Sequence, residues 1–206
     1  MQLAPLPDHS GTHDRWWIGL FNRYGHIITP LRAKGWVTDV QADVQADATN
    51  YAIRADLTDG TELLITAGTT LPADPTEVPG WLIVRTPVGD ASHQTVVYNS
   101  TPGAAHDHHG NALVPLFMRL AALFPSRRDD CFHLHTLSIA PSGFTSKSAG
   151  RQEDAGTAMA RYIEHANTLT RNGWRMTWRA QPGQAVACTF ERAGHLAVVQ
   201  LADDAI

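Results

Sequence analysis

The chain lacks most of the features that would assign a function at sight. Its 206 residues hold two cysteines, Cys131 and Cys188. Two are too few for a disulfide framework, so reduced thiols and a cytoplasmic setting are expected. No apolar run approaches the roughly 18 residues that a membrane helix needs. The longest, 113–124, is interrupted by Pro115 and Arg119. Residues Met1 to Asp8 have neither a basic start nor an apolar stretch and do not read as a secretory signal. Basic residues are also few: 16 Lys and Arg stand against 20 Asp and Glu, for a formal charge of −4. A duplex-DNA binder carries the opposite balance, because its cations displace counterions from the phosphates.

Catalytic signatures are missing too. There is no Gly-x-Ser-x-Gly elbow, Ser-x-x-Lys pair, P-loop or Gly-x-Gly-x-x-Gly turn. Ser142, Ser146 and Ser148 lie in a small-residue stretch that would not hold a nucleophile in place. Cys131 and His133 are the one conceivable thiol–base pair, but no third group orients them. Cys188 reads as a buried strand residue.

What is present is a repeat. Arg23-Tyr24 to Gly35-Trp36 aligns without gaps on Arg161-Tyr162 to Gly173-Trp174, with Leu31 on Leu169. After each Gly-Trp come strand-rich residues and a hairpin, at Asp59-Gly60 in the first copy and Ala193-Gly194 in the second. The glycine ends a helix in the left-handed conformation, and the tryptophan opens a strand. In the second copy a helix over about 154–171 is predicted by Met159, Tyr162, Ile163, Ala166 and Leu169 at helical spacing. In the first, a helix near 14–24 precedes a short one entered at Thr29-Pro30.

Between the copies, 81–85 and 95–98 read as strands. Leu113, Leu116, Phe117, Leu120 and Phe124 read as one face of a helix capped by Asn111 and ended by Pro125. A strand is expected over 131–140 and a linker over the small residues that follow. The fold class is therefore α+β, with two related helix and antiparallel-sheet units packed as an intramolecular pseudo-dimer. Residues 1–12 would be a flexible N-terminus and 13–140 the first unit, with its helix at 111–124. Residues 141–152 would be the linker and 153–206 the second, shorter unit.

The first copy resembles an uncharacterised domain family widespread in actinobacterial chromosomes and plasmids. The resemblance rests on Gly35, Trp36, Asp59, Gly60, Trp81, Thr101 and Pro102, and in the second copy on Gly173, Trp174 and the hairpin around Gly194. It implies a helix ending in Gly-Trp, a strand, an Asp-Gly hairpin, a strand opened by Trp and a closing helix introduced by Thr-Pro. It implies no activity, and the His-rich insertion after Pro102 departs from its pattern.

Three constellations remain. His106, His108 and His109, with Cys131, His133 and His135, contain zinc-type donors, although their spacing matches no zinc signature. Asp39, Asp43 and Asp47 recur every four residues and suit calcium chemically, but a solvated acidic face is the simpler reading. Trp174, Arg175, Trp178 and Arg179 could stack and neutralise a single-stranded nucleic acid. The same alternation also describes a half-buried strand, with Trp174, Met176 and Trp178 on one face and both arginines on the other. Charge is polarised along the chain: 39–77 holds eight acids and one base, whereas 151–179 holds five arginines and three acids. The sequence points to a non-catalytic binding protein whose partner is another protein or a second copy. Single-strand nucleic-acid binding and Cys/His metal binding are the alternatives.

Overall fold

A computed structural model describes residues 1–45, 48–90, 92–124, 131–148, 153–180 and 186–203, with side chains for all of these except 43–45, 48–49, 131, 148 and 203. The described residues form four α-helices and two antiparallel sheets. Helices α1 (Arg15–Arg23) and α2 (Gly25–Ala33) precede a meander of β1 (Val37–Gln45), β2 (Ala48–Asp56), β3 (Thr61–Thr66), β4 (Leu82–Pro87) and β5 (Thr95–Asn99), which pair in sequence order. Helix α3 (Leu113–Leu123) follows. The second sheet is built from β6 (Cys131–Ala140), β7 (Gly143–Ser148), β8 (Glu153–Asp154), β9 (Arg175–Arg179), β10 (Val186–Arg192) and β11 (His195–Asp203), with α4 (Ala155–Arg171) inserted before β9. Its order is β7-β6-β11-β10-β9, and β8 also pairs with β6.

The two Gly-Trp segments close their helices in the same way. Gly35 and Gly173 have φ of +84° and +81°, a conformation that costs an L-residue about 1–2 kcal/mol. Trp36 N–H donates to the Leu31 carbonyl at 3.4 Å, and Trp174 N–H to Leu169 at 3.0 Å. The glycine N–H groups donate to Arg32 and Thr170, each at 3.0 Å. This paired closure satisfies the carbonyls that a helix end otherwise leaves unmet. Three antiparallel strands in sequence order follow in both cases, so 23–65 and 161–199 share one element order.

Several local expectations are corrected. Helix α2 begins at Gly25 and runs through Pro30, instead of starting at Thr29-Pro30. Proline removes one helical N–H, but Ile27, Ile28 and Leu31 are buried around it and hold the helix against the sheet. The first hairpin is one residue longer than a two-residue turn: Leu57 N–H donates to the Thr61 carbonyl at 2.9 Å across 58–60. Asn111 does not cap α3; the Glu164 carboxylate of α4 accepts from Leu113 and Val114 N–H at 2.6 and 3.1 Å. Thr101-Pro102 opens a turn, not a helix. The expected linker contains β7, which pairs with β6, and β6 itself belongs to the second sheet. Pro125 lies outside the described residues. The N-terminal segment is held at Ala4, which is buried and exchanges hydrogen bonds with Arg32.

Each sheet has its own core. Tyr24, Ile27, Leu31, Ile53, Ile65, Trp81, Ile83 and Phe117 are buried in the first; Phe132, Leu134, Met159, Tyr162, Cys188, Phe190 and Val199 in the second. Helices α2 and α4 cross the boundary between them. Ala160 of α4 packs in the first core and Ala33 of α2 in the second, while Ile163 touches both. At the crossing, Lys34 Nζ lies 2.9 Å from Asp154 Oδ1 with its side chain only 2% exposed. Its stem crosses Gly156, where an added Cβ would sit 2.5 Å from Lys34 Cγ and 3.1 Å from the Pro30 carbonyl. Lys34→Ala is expected to lower stability by about 3–5 kcal/mol, because it strands a buried carboxylate. Gly156→Ala should cost about 1–3 kcal/mol through overpacking. Urea unfolding monitored by tryptophan fluorescence checks both, and a loss below 1 kcal/mol for Lys34→Ala would contradict the seam described here.

Candidate functional site

Register assigns each strand residue of the second sheet to a face. One rank reads Trp178, Thr189, Val198, Leu137 and Ser146 across β9, β10, β11, β6 and β7. Its neighbour reads Arg175, Glu191, Leu196, Ile139 and Phe144. Directly paired residues point to the same side. The other face, carrying Cys188, Phe190, Ala197, Val199 and Leu201, is buried against α4. Among the described residues, no helix packs on the first face. Trp178 is 53% exposed, Phe144 75%, and Ile139 and Leu196 38% each.

A β-bulge corrects the expected alternation of β9. Trp178 pairs with Thr189 and Met176 with Phe190, so the register shifts at Thr177. Trp178 and Arg175 therefore share the open face, while Met176 and Arg179 turn to the helix side. Arg175 reaches Glu191 at 3.3 Å. Trp174 is partly buried against the second core. It also lines a shallow groove of about 320 Å³ with Ile139, Phe144 and Leu196. All of β9 is solvent-exposed, contrary to a half-buried strand with its tryptophans inward. The four candidate residues are neighbours in the chain but serve two surfaces.

The candidate histidines fall in two places, the turn after β5 and strand β6 of the second sheet. His106, His108 and His109 lie in the turn after β5. His109 stacks on His106 at 5.5 Å between ring centroids, and Nδ1 of His109 lies 3.0 Å from the Tyr98 hydroxyl. His108 is 4.1 Å from His109. Burial, then the charges of His108 and His106, lowers the pKa of His109. His133 and His135 sit on the open face of β6, with rings 6.0 Å apart. The side chain of Cys131 lies outside the described residues. Among the described residues, no group of three or more His, Cys, Asp or Glu side chains is placed to hold a metal ion.

The acidic repeat is not one solvated face. Asp39 is buried and accepts from Trp17 Nε1 at 2.7 Å and from Val40 N–H at 2.8 Å. Asp47 and the side chain of Asp43 lie outside the described residues.

A third feature is a cleft of about 1350 Å³ between α2 and α4, with Arg23, His26, Arg32, Glu164, Arg171 and Arg179 on its walls. His26 packs against Tyr24 and Trp81, with centroids 5.8 and 6.0 Å away. Burial lowers its pKa, opposed by its hydrogen bond with the Arg23 carbonyl. Burial raises the phenol of Tyr162, helped by Cys188, and burial also raises the Cys188 thiol. This pair is a neutral core contact and not an activated nucleophile.

The apolar open-face residues other than Trp178 escaped the sequence reading. Their signal is that β6 switches its apolar positions midway, from Phe132 and Leu134 on one face to Leu137 and Ile139 on the other. A strand with apolar residues on both faces is covered twice or serves a binding surface.

No protein-family model, curated protein or solved structure matches the chain. No helix among the described residues is long and apolar enough to cross a membrane.

The depressed histidines set a pH dependence. His26 and His165 both take up protons less readily than the ordinary value of 6.5 implies, through burial. The unfolded chain therefore binds more protons below that value, and stability present above it is lost as pH falls. Urea midpoints should hold near pH 7.5 and drop toward about pH 5, less steeply in His26→Gln. An identical slope in the variant would remove His26 from this account.

Proposed function

We propose that the chain is a non-catalytic interaction protein of the cytoplasm that self-associates, the open face of its second sheet packing on the same face of a second copy. The observation that carries this reading is the apolar set Trp178, Val198, Leu137, Leu196, Ile139 and Phe144, aligned in two ranks with nothing described above them. An apolar centre of this kind marks an interaction surface, and antiparallel sheets pack face to face through such ranks.

Charge favours a second copy. Arg175 and Glu191 form a cross-strand pair on this face. A two-fold axis can set each of them against its opposite in the partner, which makes the rim self-complementary. Edge-to-edge pairing of β9 is disfavoured, because antiparallel alignment centred on Thr177 would set Arg175 against Arg179. The shared element order of 23–65 and 161–199 supports a parallel reading, in which the chain is itself an internal duplication packed as a pseudo-dimer.

A second reading has one specific observation behind it. Trp178 is exposed beside Arg175, as stacking on single-stranded nucleic acid requires. Against it, Arg175 is paired with Glu191, and Arg179 faces the other side.

Sedimentation of untagged protein from low to high micromolar concentration should show a dimer, and Trp178→Glu should weaken it roughly tenfold or more. A monomer throughout, together with salt-sensitive anisotropy of a labelled single-stranded oligonucleotide, would replace the first reading by the second.

A further inference from the structure

We propose that the cleft between α2 and α4 binds a small organic anion carrying two or more negative charges. Four arginines line it: Arg23, Arg32, Arg171 and Arg179. Among the described residues outside the cleft, Arg54, Arg85, Arg161 and Arg175 each meet a carboxylate within 4.0 Å, whereas Arg15, Arg119 and Arg192 do not. Among the described residues, none of the four cleft arginines does.

Hydrogen bonds to neutral acceptors orient three of these guanidinium groups without cancelling their charge. Arg23 Nη1 donates to the Ala73 carbonyl at 3.1 Å. Arg32 Nε donates to the Ala4 carbonyl at 2.9 Å. Arg171 Nη2 donates to Thr168 Oγ1 at 3.2 Å. Burial lowers the pKa of Arg32, as it does for a cation that no anion balances. Two nearby acids are already engaged. Glu164 caps α3, and Asp74, whose carboxylate feels Arg23, accepts from Thr76 N–H and hydroxyl.

A cationic concavity in a chain of net charge −4 selects its ligand by charge. Guanidinium groups match phosphate and carboxylate oxygens through paired N–H donors. Trp81, Met159 and Ile163 add apolar wall for the body of the ligand. At about 1350 Å³ the cleft has room for a ligand of nucleotide size, which ordinary pockets of roughly 300–1000 Å³ already hold. The cleft lies on the helix side of the second sheet, so it is independent of the open face and of self-association.

The test is calorimetric titration of the untagged full chain at low salt with pyrophosphate, citrate and ATP, without divalent metal and with adenosine as the uncharged control. Saturable binding of at least one polyanion is expected, and adenosine should bind at least tenfold more weakly than ATP. Arg171→Ala should weaken binding tenfold or more while leaving the unliganded unfolding midpoint unchanged, since Arg171 is exposed and donates to one exposed hydroxyl. Arg15→Ala, on the exposed surface outside the cleft, should change nothing. Absence of saturable binding to all three polyanions would overturn the proposal. So would equal affinity for ATP and adenosine, or equal affinity of wild type and Arg171→Ala. The ratio of pyrophosphate to citrate affinity separates a phosphate from a carboxylate preference.

Discussion

The fold turns on a buried ion pair between Lys34 and Asp154. Each charge sits at the helix end that suits it. Lys34 closes α2, where the carbonyl ends carry partial negative charge, and Asp154 caps α4, where free N–H groups carry partial positive charge. Gly156 makes the approach possible, because a side chain there would collide with the lysine stem. The pair joins the two Gly-Trp helices where one ends and the other begins. That junction allows α4 to serve both cores, with Met159 and Tyr162 against the second sheet and Ala160 in the first core. Ile163, which touches both cores, and the cap that Glu164 places on α3 join the two sheets beside it.

One consequence is unequal cover. The first core draws on α1, α2 and α3, and Arg54 forms ion pairs with Asp56 and Glu62 on the outer side of that sheet. Among the described residues the second sheet has α4 alone, and its other face carries Trp178, Val198, Leu137, Leu196, Ile139 and Phe144 among the polar Thr189, Ser146, Arg175 and Glu191. A single helix cannot cover both sides of a sheet, and no other described helix covers this face. Surface of this composition is costly to leave in water, at roughly 25 cal/mol per Å² of apolar area. The proposed self-association rests on that cost together with the Arg175–Glu191 pair.

Much of the architecture was legible in the sequence. The Gly-Trp repeat located both helix ends, and the apolar spacing of 154–171 and 113–124 located two helices. Local composition misled where tertiary contacts overrode it. The small residues of 143–148 form a strand because β6 offers an edge to pair with, and Pro30 sits inside α2 because buried isoleucines hold that helix on the sheet. Glu164 capping α3 from another helix has no local signature. The candidate site was half legible. Trp178 and Arg175 were singled out, but the bulge at Thr177 reversed their grouping, and a bulge leaves no mark in strand alternation. The cleft was not legible at all, since its arginines come from α1, α2, α4 and β9 and converge only in three dimensions.

The most direct test of the central claim is hydroxyl-radical footprinting of side chains in dilute and concentrated protein. Trp178 and Phe144 lie on the open face, whereas Met176, two residues from Trp178, lies on the other and serves as an internal control. Self-association through the open face predicts that oxidation of Trp178 and Phe144 falls with concentration while that of Met176 does not. Protection of Met176 with Trp178 unchanged, or no change at any of the three, would contradict it.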